Sequence, residues 1–231
     1  MERKIKVLEN SFLKIEVSSL GAELTSLYSK KTEIEYLWQP GYDIWPHHSM
    51  LLFPNPGRIS GDRTIIGNKI YPATMHGFAN DMNFEIVESC KERLLLEISQ
   101  TEETLKSFPY KFRLQVEFLL DGEIVYQKFK VINEDSKTIY FSLGAHPGFY
   151  CPIIPNESVD DYVLEFNSPQ NINSLELEDG TRLLTGKRIK YLNNETTIKI
   201  GDRFFDNGPI LFDGVNAKLI KIKSNRTGHF V

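Results

Sequence analysis

The chain has 231 residues, of which 41% are hydrophobic and 12% aromatic, so it is long enough to bury one large core. Its 27 basic and 31 acidic residues give a formal net charge of -4, which offers no reason to expect binding to nucleic acid or to an anionic membrane. A small neutral ligand suits this balance better. The sequence shows neither an apolar leader nor a stretch long enough to span a bilayer, which predicts a cytoplasmic location.

Alternating apolar and polar residues predict an all-β chain. The alternation is clearest in five stretches: residues 13–17, 112–120, 124–132, 196–200 and 217–223. Asp121-Gly122 separates two of them and predicts a β-hairpin with a type I′ turn. The best helical candidate is one short turn near Thr101 to Lys106, which Phe108-Pro109 ends.

The chain reads as a single domain spanning residues 1–231, because it contains no repeat, low-complexity tract or flexible linker. A loop rich in Pro, Asn and Asp runs from Cys151 to Asp161, and loops of this kind often border binding sites. Cys90 and Cys151 are far apart and lack paired spacing, so we expect two reduced, partly buried thiols.

Two of the five histidines stand beside glycines that permit close backbone approach. These are His76 in Met75-His76-Gly77-Phe78 and His146 in Gly144-Ala145-His146-Pro147. Such settings can aim an imidazole into a cleft, although a histidine taken alone is more often a structural hydrogen-bonding residue. Arg58 follows a rigid Pro-Asn-Pro-Gly turn, where it either binds ligand hydroxyls or pairs with a surface carboxylate.

Two adjacent histidines, His47 and His48, precede the apolar run that begins at Met50, and the pattern favours a solvated turn over a cleft. Trp38 and Trp45 are predicted to lie in the core, because large aromatic side chains fill β cores more often than they stack on ligands.

In order and spacing, these segments resemble the aldose 1-epimerase (galactose mutarotase) superfamily, especially its LacX-like branch. The landmarks extend along nearly the whole chain: residues 19–27 (SLGAELTSL), 35–38 (EYLW), Trp45, residues 53–59 (FPNPGRI), 76–79 (HGFA), Asn133 and residues 144–149 (GAHPGF).

The resemblance implies an all-β, galactose mutarotase-like β-supersandwich and a reaction that interconverts the α and β anomers of an aldohexose or a derivative. In the family pattern, His146 is the general acid that protonates the ring oxygen, His76 assists and positions the sugar, and Arg58 binds hydroxyls. Phe149 follows His146 in the motif and is a candidate sugar contact. The resemblance requires no metal or organic cofactor.

Three departures from the family pattern bear on this reading. The family glutamate that takes the proton from O1 has no match near the C-terminus, so the sequence predicts a fold that is incomplete at this end. Asn80 occupies a position where LacX-like sequences often have arginine. Asp206 is a candidate substitute for an acidic sugar contact, although it also reads as a turn residue in residues 206–209.

The unmatched glutamate leaves a second hypothesis open, a carbohydrate-binding protein without catalysis on the same fold. A glycoside hydrolase is less favoured, since the sequence identifies no carboxylate pair, and a metal-dependent barrel enzyme lacks a recognisable ligand spacing. The sequence specifies neither the sugar nor the oligomeric state.

Overall fold

The computed structural model describes residues 3–40, 44–201, 203–206 and 208–231. Strands dominate this part of the chain, which confirms the all-β prediction. The strands are β1 (Ile5–Glu9), β2 (Leu13–Ser18), β3 (Glu23–Ser29), β4 (Ile34–Glu35), β5 (Ser49–Leu52), β6 (Arg63–Ile66), β7 (Lys69–Pro72), β8 (Glu85–Ser89), β9 (Arg93–Ser99), β10 (Phe112–Asp121), β11 (Ile124–Asn133), β12 (Gly144–Pro147), β13 (Tyr162–Gln170), β14 (Asn173–Leu177), β15 (Leu184–Lys190), β16 (Glu195–Lys199), β17 (Leu211–Asp213) and β18 (Ile220–Ser224).

The Cα positions form two compact units, residues 1–149 and 150–231. In the first unit, β1 to β4 form one antiparallel sheet in sequence order, and a second sheet has the order β11-β10-β9-β8. Apolar and polar residues alternate along β2, β9 and β10, and the apolar face of each strand packs into a shared core. The prediction of one domain over residues 1–231 stays a prediction.

The hairpin of β10 and β11 has the predicted strands but a different turn. Asp121 pairs with Ile124, so the two central turn residues are Gly122 and Glu123. Gly122 has a φ of 57°, whereas Glu123 is not among the residues with positive φ. A type I′ turn needs positive φ at both central positions, and glycine at the first position alone is the pattern of type II′. The predicted turn type was wrong because Asp121 still belongs to the strand.

Two short strands position the candidate site of the first unit. β5 pairs with β12, and all four residues of β5 are buried. The chain then passes through Phe53, which is fully buried, contacts Phe78, Phe108 and Phe112, and forms a parallel bridge with Gly77. The segments that contain His76 and His146 are therefore both anchored to β5 and the residue that follows it.

The second unit contains two three-stranded sheets, ordered β16-β13-β18 and β15-β14-β17. Its core is formed by Phe166, Ile172, Leu192 and Ile198. The predicted loop at residues 151–161 is present and ends in a 3₁₀ turn at Val159–Asp161. The Tyr162 hydroxyl accepts backbone hydrogen bonds from Ile153 and Ile154 and donates one to Glu157, which fixes this loop.

Other local predictions are confirmed with adjusted bounds. The helical candidate near residue 101 is a 3₁₀ turn at Thr104–Lys106, closed by reciprocal hydrogen bonds between Thr101 and Thr104. The cysteines are confirmed only in part: both are free, and burial raises the pKa of the partly buried Cys151 thiol to about 11, but Cys90 is exposed, so the prediction of a partly buried thiol was wrong for Cys90. Across the described ranges, none of the helices is long and apolar enough to cross a membrane.

Candidate active site

His146 lies in the middle of a short strand with a fixed backbone. In the β5–β12 pair, His146 stands opposite Met50, and Ala145 opposite the buried Leu51. The residues of β5 fill the core while His146 is exposed. An imidazole with this arrangement is accessible to a ligand although its main chain is held by the sheet.

His76 lies in a tight turn that depends on Gly77. Both residues have positive φ, 68° for His76 and 77° for Gly77. A Cβ on Gly77 would stand 2.1 Å from the carbonyl oxygen of Phe53, so only glycine fits here. That carbonyl accepts hydrogen bonds from the amides of Phe78 and Ala79, at 2.9 and 3.3 Å. The turn is thereby fixed against the core.

The protonation of His76 follows from its contact with Gly57. The Gly57 amide donates a hydrogen bond to His76 Nδ1 over 3.1 Å, and the His76 amide donates to the Gly57 carbonyl over 3.0 Å. Because Nδ1 accepts, the neutral ring carries its proton on Nε2. Burial lowers the pKa of His76, and the neighbouring charges of His146 and His47 lower it further. His76 is thus a neutral ring that presents an Nε2–H donor.

His76 and His146 come together, with ring centroids 5.8 Å apart. The Trp45 ring packs edge-on against His146 at a centroid distance of 5.1 Å. Gly148 makes room for Trp45, since a Cβ on Gly148 would lie 2.6 Å from the indole ring. The motif glycine after His146 therefore serves the packing of Trp45, and Trp45 in turn supports the His146 ring.

A carboxylate, that of Glu23, is fixed beside His47 and His48. Glu23 Oε1 accepts hydrogen bonds from the amides of His48 and Ser49, at 2.7 and 3.0 Å, and lies 3.8 Å from His47 Nδ1. The His47 ring stands 5.8 Å from Trp45. His48 donates from Nδ1 to the Trp38 carbonyl over 3.1 Å. His47 and His48 are half-buried, so both are more enclosed than the predicted solvated turn.

Arg58 is exposed and forms a two-pronged ion pair with Asp62, with Nε and Nη2 at 3.0 and 3.1 Å from the two carboxylate oxygens. The hydrogen bonds and the negative charge of Asp62 raise the pKa of Arg58. The hydrogen bonds and the positive charge of Arg58 lower the pKa of Asp62. Arg58 directly follows Gly57, which links it to the His76 turn. Its role as a sugar ligand stays a prediction, and any hydroxyl must compete with Asp62 or use the remaining guanidinium donors.

The other predicted contacts have different surroundings. Phe149 is half-buried, packs against the core of the first unit and bridges to Leu37. Asp206 belongs to the second unit and binds Arg203 through a 2.6 Å ion pair. Asn207 of the predicted 206–209 turn lies outside the described residues. Asn80 donates to Asp81, while its Oδ1 is buried without a hydrogen-bond partner in the described part of the chain.

Two cavities lie near these groups, and the residues that line them include neither His76 nor His146. One, of about 430 Å³, is lined by Glu23, His47, His48, Asn80 and other residues of the first unit. The second, of about 320 Å³, lies beside Gly77 and Phe78 and is lined mainly by apolar side chains, including Ile59, Ile65, Phe108 and Tyr140. The polar cavity borders Glu23 and His47, which suits a hydroxyl-rich ligand better than the apolar one does.

Comparisons with known proteins identify the family of the chain. The family model described as aldose 1-epimerase matches residues 4–225. The chain belongs to this family. The plasmid and chromosomal forms of protein LacX from Lactococcus lactis subsp. lactis are each 29% identical over 228 residues, covering 96% of this chain and 76% of LacX. The predicted LacX-like relationship is confirmed.

Solved structures give the same answer for the fold. A galactose mutarotase related enzyme from Lactobacillus acidophilus has a TM-score of 0.89 and 27% identity, covering 96% of this chain and 74% of that protein. A galactose mutarotase-like protein from Lactobacillus casei has a TM-score of 0.88 and 26% identity, covering 98% and 78%. The predicted all-β, galactose mutarotase-like fold is confirmed. The chain spans about three quarters of the length of these relatives.

Three features of the site were missed from the sequence. Trp45 was read as core, His47 as part of a solvated turn, and Glu23 had no role, although all three belong to or follow family landmarks. Glu23 is a polar residue at the start of an otherwise half-buried strand. A charged residue at the start of such a strand is a sign of a specific contact. The groups that Glu23 contacts, however, are 24 or more residues away in sequence.

Proposed function

We propose that this protein is an aldose 1-epimerase-type isomerase that interconverts the α and β anomers of an aldohexose. The observation that carries the proposal is the pairing of an exposed His146 with a neutral His76 whose Nε2–H is free to donate. Family membership supports a sugar as the substrate. Two imidazoles of different character within one site suit a reaction made of proton transfers.

Ring opening moves two protons and breaks one bond. His146 in its imidazolium form gives a proton to the ring oxygen O5 as the C1–O5 bond breaks and its electron pair moves to O5. The O1 hydroxyl loses its proton to a base, and C1–O1 becomes a carbonyl. Rotation about C1–C2 exposes the opposite carbonyl face, and reversal of the proton transfers closes the ring as the other anomer.

His76 has a different task in this scheme. Its Nδ1 is occupied by the Gly57 amide and its pKa is lowered, so it donates a hydrogen bond to the sugar and keeps its own proton. Arg58 is the proposed hydroxyl ligand beside this turn, and Phe149 and Asp206 remain further proposed contacts. The assignments of Arg58 and Phe149 follow the family pattern, whereas Asp206 is a proposed substitute for an acidic contact that the pattern places at another position.

Polarimetry of freshly dissolved α-D-galactose and α-D-glucose tests the proposal. The wild-type protein is expected to accelerate the change in optical rotation, and His146→Asn is expected to reduce kcat by roughly 10²-fold or more, as loss of a general acid does. His229→Asn removes an imidazole without a proposed role and serves as the control. Sugar binding at the background mutarotation rate would instead support the non-catalytic alternative.

A further inference from the structure

Glu23 is held in a defined position by the backbone. Its carboxylate accepts two amide hydrogen bonds, from His48 and Ser49, and its side chain is only 14% exposed. A carboxylate fixed in this way loses little further entropy when it orients a neighbouring group. The nearest such group is His47, whose Nδ1 lies 3.8 Å from Glu23 Oε1.

His47 is also close to the two histidines of the proposed reaction. Its ring lies 5.8 Å from Trp45, and Trp45 packs against His146 at 5.1 Å. Independently, the charge of His47 is one of the causes that lower the pKa of His76. Trp45 therefore contacts two imidazoles, His47 and His146, and His76 adjoins the second; in the scheme above, His47 and His76 have no proton-accepting role.

The orientation of His47 complements that of His76. The 3.8 Å contact between Glu23 and Nδ1 is an ion-pair contact, longer than a hydrogen bond, and the negative charge of Glu23 favours the tautomer with the proton on Nδ1, which leaves a lone pair on Nε2. His76 has the opposite arrangement, because Gly57 donates to its Nδ1. The His47 side chain is 33% exposed and lines the polar cavity of 430 Å³, so the ring is accessible to a small ligand there.

We propose that His47, positioned by Glu23, is the base that takes the O1 proton during ring opening. His47 Nε2 accepts that proton, the O1–H electron pair forms the C1=O1 bond, and the C1–O5 pair leaves to O5, which His146 protonates. Glu23 then faces an imidazolium and compensates its charge. Ring closure returns the proton from His47 to O1, and His146 recovers the proton from O5.

Other nearby groups are already committed to different contacts. Asp62 binds Arg58, and Asp81 accepts a hydrogen bond from Asn80. His48 also lines the cavity, but its Nδ1–H is bound to the neutral Trp38 carbonyl, so it has no carboxylate to compensate the charge of an imidazolium. Arg3, which lines the same polar cavity as Glu23, donates from Nε to Ser18. His47 differs from these groups in two ways. Its charge lowers the pKa of His76, and its partner is the fixed carboxylate of Glu23.

The inference rests on the proposed isomerase activity and is tested by kinetics of anomer exchange. His47→Asn keeps a donor near the Nδ1 position but cannot accept a proton, and it is expected to lower kcat roughly 10²-fold with KM within about threefold of wild type. His229→Asn, which removes an imidazole without a role in the scheme, is the control with nearly wild-type kcat. Thermal unfolding confirms that both variants are folded.

Two further variants separate catalysis from structural support. His47→Ala should regain activity when imidazole is added, measured above the mutarotation that imidazole itself causes, because the free base replaces the lost ring. Glu23→Gln still accepts the amides of His48 and Ser49 but lacks the charge, so its kcat should fall roughly tenfold while the fold is kept.

These experiments test the base role of His47 separately from the proposed isomerase activity. An active wild type whose kcat is unchanged in folded His47→Asn overturns the role of His47 and leaves the isomerase proposal standing. A wild type at the background rate overturns both. Loss of kcat in His47→Asn with rescue of His47→Ala by imidazole supports the inference.

Discussion

The backbone amide of Gly57 donates a hydrogen bond to Nδ1 of His76 over 3.1 Å, and this contact determines which nitrogen of His76 carries the proton. A main-chain donor cannot change its protonation, so the tautomer is set by the fold itself. His76 and His146 then differ in chemical character although their rings are 5.8 Å apart.

The donor role of His76 predicts different effects for two similar substitutions. His76→Asn keeps an acceptor for the Gly57 amide and tolerates the positive φ of this position, but it removes the Nε2–H. We expect kcat/KM for anomer exchange to fall roughly 10²-fold, as loss of a preorganised donor does. His76→Gln restores a donor near Nε2 and should retain clearly more activity. Equal losses in the two variants would contradict the donor role.

The lowered pKa of His76 predicts a specific pH dependence of stability. In the unfolded chain His76 takes up a proton as the pH falls through about 6.5, whereas the folded state resists protonation. The unfolded state therefore binds more protons in this window, and the stability gained from neutral His76 is present above pH 6.5 and is lost as the pH falls through the folded pKa.

Urea unfolding of wild type and His76→Asn at pH 7.5 and 5.5 measures this effect. The stability of the wild type relative to the variant should decrease at pH 5.5. His229→Asn provides the control for general acid effects. A difference between wild type and His76→Asn that is the same at both pH values would show that His76 does not titrate as described.

The close approach of Gly77 to Phe53 predicts a large cost for one added methyl group. Gly77→Ala would place Cβ 2.1 Å from a backbone oxygen in a residue with positive φ, and we expect a loss of roughly 4 kcal/mol or more in the free energy of unfolding. Gly67→Ala has the same type of backbone but no atom within 4 Å, so it should lose only about 1–2 kcal/mol. Urea midpoints compare the two, and similar losses would refute the packing argument.

The assignment of Arg58 as a sugar ligand predicts a change in affinity. Arg58→Lys keeps the positive charge but lacks the planar fork, so KM should rise roughly tenfold while kcat is nearly unchanged. Stability should stay the same, because the pair with Asp62 is exposed and screened by solvent. Arg188→Lys, in an exposed pair with Asp213, is the control. An unchanged KM in Arg58→Lys would remove Arg58 from the sugar site.

Much of the fold was predictable because burial of one strand face leaves a period of two in the sequence. Leu13, Ile15 and Val17 are buried as predicted, and the long hairpin of β10 and β11 was located within one residue. The turn type was missed because the register, which assigns Asp121 to the strand, depends on pairing along the whole hairpin.

The candidate site was only partly predictable, for a different reason. His76 and His146 stand in glycine-containing motifs whose local backbone is recognisable from the sequence. The carboxylate at Glu23 and the ring of His47 meet only when β3 approaches the segment before β5, and no local pattern records that approach. The Gly57 contact is made by a backbone amide, which any residue except proline offers, so residue identity gives no signal for it.

The most direct test of the account is saturation transfer between the α and β anomeric protons of D-galactose at equilibrium, measured by ¹H NMR with the wild-type protein and with His146→Asn. The proposed acid role of His146 predicts transfer well above the uncatalysed rate with wild type and a return close to that rate with His146→Asn, while the fold of the variant is unchanged. Equal transfer with the folded variant and the wild type, or no transfer above the uncatalysed rate with either, would contradict it.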